Sequence, residues 1–223
     1  MVEYAVSDLV KEVKVLLDRN QESAGLLTPD DTDTLSQAEL IESKIVDSAR
    51  IIEEEAPYYL VAGKNILNLV APTFTKIGDT YIGRIALPTD FMRLLTIQMD
   101  DWDRPAKIIS SEDEEYHLQF CKYSGVRGNP HKPVAALVQS SSGDLELELF
   151  ASKSLKAKLK YGTYIPIPSI SNGSIMICEK LKDAIVYMAG YLTCISLGDT
   201  DTASGFLGVA RKLAHIVEPT ETS

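Results

Sequence analysis

The chain has 223 residues, of which 45% are hydrophobic and 24% are charged, as is typical of a folded domain rather than a disordered one. Its longest apolar run, from Ala184 to Gly198, is shorter than the roughly 18 residues that cross a bilayer. The sequence therefore excludes a membrane-spanning protein, and its length predicts one domain, or one domain with a large insertion.

The formal charge of −10 at pH 7 is concentrated near the N-terminus. Residues 1–57 hold 5 Lys and Arg against 14 Asp and Glu, whereas residues 58–223 hold 17 against 18. Because contact with DNA phosphates requires a basic surface, this distribution excludes a conventional DNA-binding protein. It remains compatible with a protein that surrounds nucleic acid without holding it.

Two amphipathic helices are predicted in residues 1–57. Apolar residues recur at helical spacing from Val6 to Arg19, and the glycine and proline in residues 20–33 predict a loop. Ser36 and Glu39 form the pattern of a capping box. The helix that follows this box is expected to end at Pro57.

Short β-rich runs separated by glycine and proline replace the helical pattern in residues 58–168. The predicted strands are Tyr81–Leu87, Leu94–Met99, Ala106–Ile109, Val134–Gln139, Leu145–Phe150 and Leu155–Tyr164. The last two alternate apolar residues with Glu and with Lys, which predicts an antiparallel hairpin. In its register Glu148 is opposite Lys156. Glu146 is then opposite Lys158.

Two further helices are predicted after the β-rich runs. The first extends from Leu181 to Ile195 and is apolar on nearly all sides, which is typical of a helix central to a bundle or buried at an interface. The second is marked by apolar residues from Phe206 to Val217 and ends before Pro219. Residues 218–223 are expected to form a short polar tail.

The predicted fold class is α+β. Helices from both ends of the chain, residues 1–57 and 169–217, must pack together to cover their apolar stripes, and they are expected to form a helical bundle. Residues 58–168 are expected to form a β-rich antiparallel insertion that projects from this bundle.

No catalytic, cofactor-binding or metal-binding motif is recognised in the sequence. His117 and Cys121 are four residues apart and could share one helical face, but two ligands do not make a metal site. The other cysteines, Cys178 and Cys194, follow no pattern either, which indicates a reducing compartment. A small cytosolic enzyme with a Cys/His site is the alternative to a structural role.

Four residues form a candidate partner interface. Trp102 lies in an acidic turn between two predicted strands, where it either anchors the turn on the core or acts as an interface hot spot. Arg104, Tyr123 and Arg127 belong to the same candidate interface because Trp, Tyr and Arg dominate hot spots.

Glu53, Glu54 and Glu55 form an acidic cluster at the C-terminal end of the second predicted helix, where the helix dipole disfavours them. Such a cluster is usually a solvated face. In an assembly it could instead line a channel or contact a basic neighbour.

The segment from Gly83 to Arg93 has the sequence Gly-Arg-Ile-Ala-Leu-Pro-Thr-Asp-Phe-Met-Arg. It resembles the strand and Leu-Pro-x-Asp-Phe-x-Arg signature of phage head-to-tail adaptor proteins of the tail tubular protein A type. The order of acidic helices, β insertion, long apolar helix and shorter helix is also similar. With the segment Trp102 to Pro105, the chain looks closest to ring or connector proteins of crAss-like phages.

The residue types in this signature suit the end of a strand followed by a turn. Pro88 is expected to end the strand, and Thr89 or Asp90 to cap a helical turn above Phe91.

The resemblance implies a non-enzymatic structural protein of the virion, with no cofactor. Family members form dodecameric rings below the portal, in the neck between head and tail, and the chain would be made in the cytoplasm of the bacterial host. The implied partners are further copies of the chain, the portal protein and a downstream tail or second ring protein. Genomic DNA would pass through the ring during ejection without specific binding, because an acidic wall repels it. A different tail completion protein, with six-fold symmetry, is an alternative.

Overall fold

The computed structural model describes residues 1–17, 36–66, 71–77, 80–121, 123, 125–140, 142–152 and 154–217. The loop predicted at residues 20–33 and the tail predicted at residues 218–223 lie outside these described residues. The chain forms two compact units: unit 1 is Met1–Ala62 with Ile167–Ser223, and unit 2 is Gly63–Pro166. The units therefore change at 62/63 and 166/167, against 57/58 and 168/169 in the prediction.

Helices and strands are mixed, which confirms the α+β class. In chain order, the elements begin with β1 (Val2–Ala5), α1 (Val6–Leu16), α2 (Gln37–Glu55), β2 (Lys64–Asn65), β3 (Thr73–Ile77), β4 (Thr80–Ala86), β5 (Phe91–Met99), β6 (Lys107–Ser110) and α3 (Glu114–Leu118). They are followed by β7 (Val134–Gln139), β8 (Leu145–Ser152), β9 (Leu159–Pro166), β10 (Ile170–Ser171), β11 (Ser174–Ile177), a 3-10 turn (Glu179–Leu181), α4 (Lys182–Ser196) and α5 (Thr200–Leu213).

α2 begins at the predicted capping box. The hydroxyl oxygen of Ser36 accepts a hydrogen bond from the Glu39 N–H at 3.3 Å, and Glu39 Oε2 accepts one from the Ser36 N–H at 2.7 Å. Two donors at the helix start are thereby satisfied within one turn. The apolar stripe of α2, which includes Ile41, Ile45 and Ile52, is buried in the core of unit 1.

α4 packs against α1, α2 and α5, as expected for a helix that is apolar nearly all round. Its close approach to α1 depends on Gly190, because a Cβ there would lie 2.9 Å from a methyl carbon of Leu16. The prediction for α5 is less accurate. This helix ends at Leu213, and His215 after it has a φ of +54°, so the apolar residue Val217 lies outside the helix and is exposed.

A small sheet with the order β1-β11-β10 completes unit 1 and is absent from the prediction. Val2 pairs with Ile177, and Ala5 pairs with Ser174. Residues 169–177, assigned to the C-terminal helices by the prediction, are therefore mostly a β-hairpin. Strands of two to four residues are too short for a hydrophobic period to be recognised in the sequence.

Unit 2 contains two sheets, with the orders β2-β9-β5 and β3-β4-β8-β7-β6. Apolar residues from both sheets share one core, for which Ile97 and Met99 come from β5, Ile85 from β4, and Leu147 and Leu149 from β8. All five side chains are almost completely buried. Trp102, in the turn after β5, belongs to the same core.

The predicted hairpin between β8 and β9 is wrong. Both edges of β8 are occupied, since Glu148 lies opposite Arg84 of β4 on one side and Ala136 of β7 on the other. β9 pairs with β5 and β2 in the other sheet, and it starts at Leu159, after both lysines that were expected to face the glutamates. The alternation of Leu and Glu located β8 correctly but did not identify its partners.

The second face of the five-stranded sheet is also apolar, which explains why β8 does not alternate between core and solvent. Phe150 of β8 lies on this face with Ile82, Val138 and Ile109. Tyr116 of α3 packs on the same cluster. α3 lies on the connection between β6 and β7, which pair in parallel, so the insertion is not purely antiparallel as predicted.

Candidate functional site

A cavity of about 210 Å³ in unit 2 lies between the turn after β5 and the connection from α3 to β7. Its cationic lining residues are Arg104, Lys107, Arg127 and Lys132. We call this cavity the basic cavity. Such a cluster is notable in a chain with a net charge of −10.

The buried side chain of Gln119 holds the wall of the basic cavity in place. Gln119 Oε1 accepts a hydrogen bond from the Gly128 N–H at 2.8 Å, and Gln119 Nε2 donates to the Glu115 carbonyl oxygen at 2.9 Å. A Cβ at position 128 would lie 3.0 Å from Gln119 Oε1 and 3.2 Å from Val134 Cγ2, so a larger residue there would displace one of these side chains. Arg127 directly precedes Gly128, so the hydrogen bond to Gln119 also holds the backbone beside Arg127.

Three cations of the basic cavity have no ion-pair partner among the residues that the structure describes: Arg104, Arg127 and Lys132. The fourth, Lys107, is paired with Glu115 at 2.5 Å. The cavity therefore has an excess of positive charge, which suits a carboxylate or another anionic group.

An apolar patch adjoins the basic cavity through Val126, which lines it. We call it the α3 patch, and its other members, all exposed, are Leu118, Phe120 and Tyr123. Phe120 packs edge-on against Phe150 with ring centroids 5.7 Å apart, yet it remains almost half exposed. Clusters of exposed apolar residues beside arginines are typical of protein interfaces.

Unit 1 has an apolar groove of about 580 Å³ between α1, α4 and α5. Its apolar lining residues are Val15, Leu16, Val186, Tyr187, Val209 and Leu213, and its charged rim residues are Lys11, Glu12 and Asp183. We call it the groove. Three of its apolar side chains, those of Val15, Val209 and Leu213, are exposed.

Two of the rim charges are already paired. Lys11 Nζ lies 2.9 Å from Asp8 Oδ1, and Glu12 Oε1 lies 2.5 Å from Lys182 Nζ. The carboxylate of Asp183 is exposed and has no ion-pair partner in the described part of the chain. The rim therefore presents the exposed carboxylate of Asp183 to solvent.

The structure brings together some of the residues that the sequence singled out. Arg104 and Arg127 line the same cavity, and Tyr123 is exposed on the same connection. Trp102 is only 3% exposed and leaves little surface for a partner, so its side chain anchors the turn on the core. Gln98 Nε2 also donates a hydrogen bond to the Trp102 carbonyl oxygen at 2.8 Å.

The three glutamates of the predicted acidic cluster do not share one environment on α2. Glu54 and Glu55 are exposed, but Glu53 is completely buried. Glu53 Oε1 accepts a hydrogen bond from the Cys178 N–H at 2.6 Å, and Oε2 has no hydrogen-bond partner within the described residues. Burial raises the pKa of Glu53 above its usual value, against the opposing effect of this hydrogen bond. Glu53 therefore does not belong to any acidic surface.

The segment from Gly83 to Arg93 connects β4 to β5, and thereby one sheet of unit 2 to the other. The expected helical turn is absent. Residues 88–91 form a tight turn in which the Phe91 N–H donates to the Pro88 carbonyl oxygen at 3.0 Å. Asp90 accepts hydrogen bonds from the Tyr164 hydroxyl at 2.9 Å and from Lys64 Nζ at 3.0 Å.

These contacts give the segment a structural role. Burial raises the pKa of Asp90, but the bonds from Lys64 and Tyr164 outweigh it and the net pKa is lowered. Burial and the bond to Asp90 raise the pKa of Tyr164 to about 12. The ring of Phe91 stacks on Tyr164 with centroids 5.8 Å apart, so the segment fastens β5 to β9.

No family model matches the chain, and no curated protein matches it.

The buried thiol of Cys178 is poorly suited to nucleophilic catalysis. Burial and the nearby charge of Glu53 raise the pKa of Cys178 to about 12, which makes this thiol a poor nucleophile.

In the described ranges, no group of three or more His, Cys, Asp and Glu side chains could hold a metal ion. None of the helices among the described residues is long and apolar enough to span a membrane.

The sequence patterns did not identify several residues that line these surfaces. Lys107 and Lys132 are far from each other in the chain, and no sequence pattern connects them. Val15 could have been identified from the sequence, because an apolar residue off the apolar stripe of α1 is expected to be exposed, and Val15 is exposed.

Proposed function

We propose that the protein is a structural subunit of a phage head-to-tail connector ring, located below the portal and surrounding the DNA exit channel. The observation that carries this proposal is the presence of two exposed apolar surfaces on one chain, the groove in unit 1 and the α3 patch in unit 2. A ring closes through head-to-tail contacts, which require two different surfaces on each subunit.

The distribution of charge supports the passage of DNA. Unit 1 holds 9 Lys and Arg against 20 Asp and Glu, whereas unit 2 holds 13 against 12. A channel wall formed by unit 1 would repel the phosphate backbone and let the genome slide without specific binding. The exposed Glu54 and Glu55 are the candidate residues of this wall or of a surface for a basic partner.

The finer architecture belongs to the same proposal. The helices of unit 1, which come from both ends of the chain, form a bundle, and unit 2 is the insertion between them in the sequence. Twelve copies form the ring, which contacts the portal on one side and a downstream tail or second ring protein on the other. This assembly uses no catalytic residue, cofactor or membrane.

Native mass spectrometry of the purified chain, alone and with the portal protein of its phage, tests the proposal. A ring of about twelve copies in either condition supports it, and a strict monomer in both contradicts it. A cryo-EM map of the virion neck then identifies the channel wall and distinguishes twelve-fold from six-fold symmetry. Stoichiometric metal or one hyper-reactive cysteine would instead support the small enzyme with a Cys/His site.

A further inference from the structure

We propose that the groove of one copy binds the α3 patch of the next copy. This inference rests on the proposed ring and specifies its contact between subunits. The occupant of the groove is then a second copy of this chain, and the same contact repeats around the assembly.

The two surfaces match in polarity. The groove presents Val15, Val209 and Leu213 at its mouth, and the α3 patch presents Phe120 and Val126. Each surface leaves large apolar side chains in water in the single chain, and joining them removes both sets from solvent.

The two surfaces also match in charge. The α3 patch is flanked by Arg104, Arg127 and Lys132 of the basic cavity, and Val126 joins patch and cavity. The groove lies on the acidic unit and has the exposed carboxylate of Asp183 at its rim. An apolar centre with opposite charges around it is the arrangement of a specific interface.

The contact is heterologous, because the groove and the patch are different surfaces in different units. A copy that uses its groove still has its patch available for another copy. Closure of such a chain of contacts produces a ring, whereas a two-fold contact would stop at a dimer.

Two charge variants test the inference by native mass spectrometry, alone and with the portal protein. Val209→Arg places a cation in the groove, and Val126→Asp places an anion in the patch. Each variant alone is expected to bind copies of itself at least ten-fold more weakly than the wild type. An equimolar mixture is expected to recover assembly, because the intact patch of one variant meets the intact groove of the other, and the introduced cation and anion have opposite charges where the two altered surfaces meet.

Matched control variants carry the same substitutions at exposed positions elsewhere. Val217→Arg in unit 1 and Leu155→Asp in unit 2, where the side chains are 86% and 56% exposed, are expected to assemble like the wild type. Circular dichroism of all four variants confirms that they are folded.

A cross-linking experiment tests the same contact without a disruptive charge. A chain with Leu213→Cys and Cys121→Ser is mixed with the wild type, whose Cys121 is partly exposed beside the α3 patch, and treated with a short bifunctional thiol reagent. A product of twice the monomer mass that joins positions 213 and 121 is expected. A mixture with the Cys121→Ser single variant in place of the wild type should give no such product.

The outcomes separate this inference from the proposed function. If the wild type forms a ring but both charge variants assemble normally, or if position 213 never joins position 121 in an assembled sample, the surfaces are wrong and the ring stands. If the wild type is monomeric in both conditions, the ring is wrong and the inference is overturned with it.

Discussion

Among the described residues, each unit of the molecule buries one glutamate, and the two glutamates have different hydrogen-bond partners. In unit 2, Glu148 Oε1 accepts hydrogen bonds from Arg84 Nε at 2.9 Å and Nη2 at 2.7 Å, and Oε2 accepts one from the Tyr116 hydroxyl at 2.9 Å. In unit 1, Glu53 has one backbone donor and no cationic side chain in hydrogen-bond contact within the described residues.

This comparison shows that burial alone does not determine how a carboxylate contributes to the stability of the fold. A glutamate with partners on both oxygens joins strands and a helix, and its loss leaves those partners unsatisfied. Burial raises the pKa of Glu53, whose Oε2 has no hydrogen-bond partner within the described residues. The partners therefore decide whether a buried acid stabilises the fold at neutral pH.

The largest effect is expected from Glu148→Ala, which leaves Arg84 and Tyr116 without their acceptor. The free energy of unfolding should fall by about 3 kcal/mol, as measured by urea unfolding. Glu146→Ala, on the same strand two residues earlier, serves as the control and should cost less than about 1 kcal/mol. Equal effects of the two substitutions would contradict the importance of the buried pair.

A smaller loss is expected from Tyr116→Phe, which removes the hydroxyl that donates to Glu148 but keeps the ring on Phe150. Because the acceptor is a carboxylate, the loss should be about 1.5 kcal/mol. Tyr161→Phe is the matched control on β9, and urea unfolding of both variants measures the difference. An unchanged Tyr116→Phe variant would mean that Arg84 alone satisfies Glu148.

Glu53→Gln should change the pH dependence of stability. Since the pKa of Glu53 is raised in the folded state, its favourable contribution is complete below the unfolded pKa and is lost as pH rises through the folded pKa. The wild type should therefore lose stability relative to Glu53→Gln as pH rises, by about 1.4 kcal/mol for each unit of pKa shift.

Urea unfolding of both proteins between pH 4 and pH 8 measures this difference. The exposed Glu55→Gln on the same helix controls for the loss of one charge and should follow the wild type. A constant difference between the wild type and Glu53→Gln at all pH values would disprove the raised pKa.

The smallest effect is expected from Lys156→Ala. Lys156 lies in the turn between β8 and β9 and is exposed, so its removal should change the free energy of unfolding by less than about 0.5 kcal/mol. The hairpin expected from the sequence would couple Lys156 to Glu148. A double-mutant cycle of Lys156→Ala and Glu148→Ala should find no coupling, and a clear coupling energy would restore the hairpin.

The contrast between the units also explains what the sequence could predict. α2 and α4 follow from apolar residues within a few turns and, for α2, from the Ser36 capping box, all of which are local signals. Six strands of unit 2, β4 to β9, were located for the same reason, whereas β2 and β3 were missed. The pairing of the six strands did not follow, because any of several apolar strands could lie beside β8 and the turn after it does not force a hairpin.

The candidate site shows the same limit. Arg104 and Arg127 were identified by residue type, but their shared cavity depends on the hydrogen bond from Gly128 to Gln119, which no spacing reveals. The burial of Glu53 did have a signal. It lies four residues after Ala49 and three before Ala56, on the buried side of α2, and the run of three glutamates obscured this position.

The hydrogen bond between Gln119 and Gly128 has a consequence for the thermodynamics of association. A long connection that becomes ordered only on binding loses conformational entropy at that moment, which weakens the complex. Here the backbone beside Arg127 is already held by a buried side chain before any partner arrives. The association constant of this surface should therefore depend on the fit of its side chains, with little contribution from loop folding.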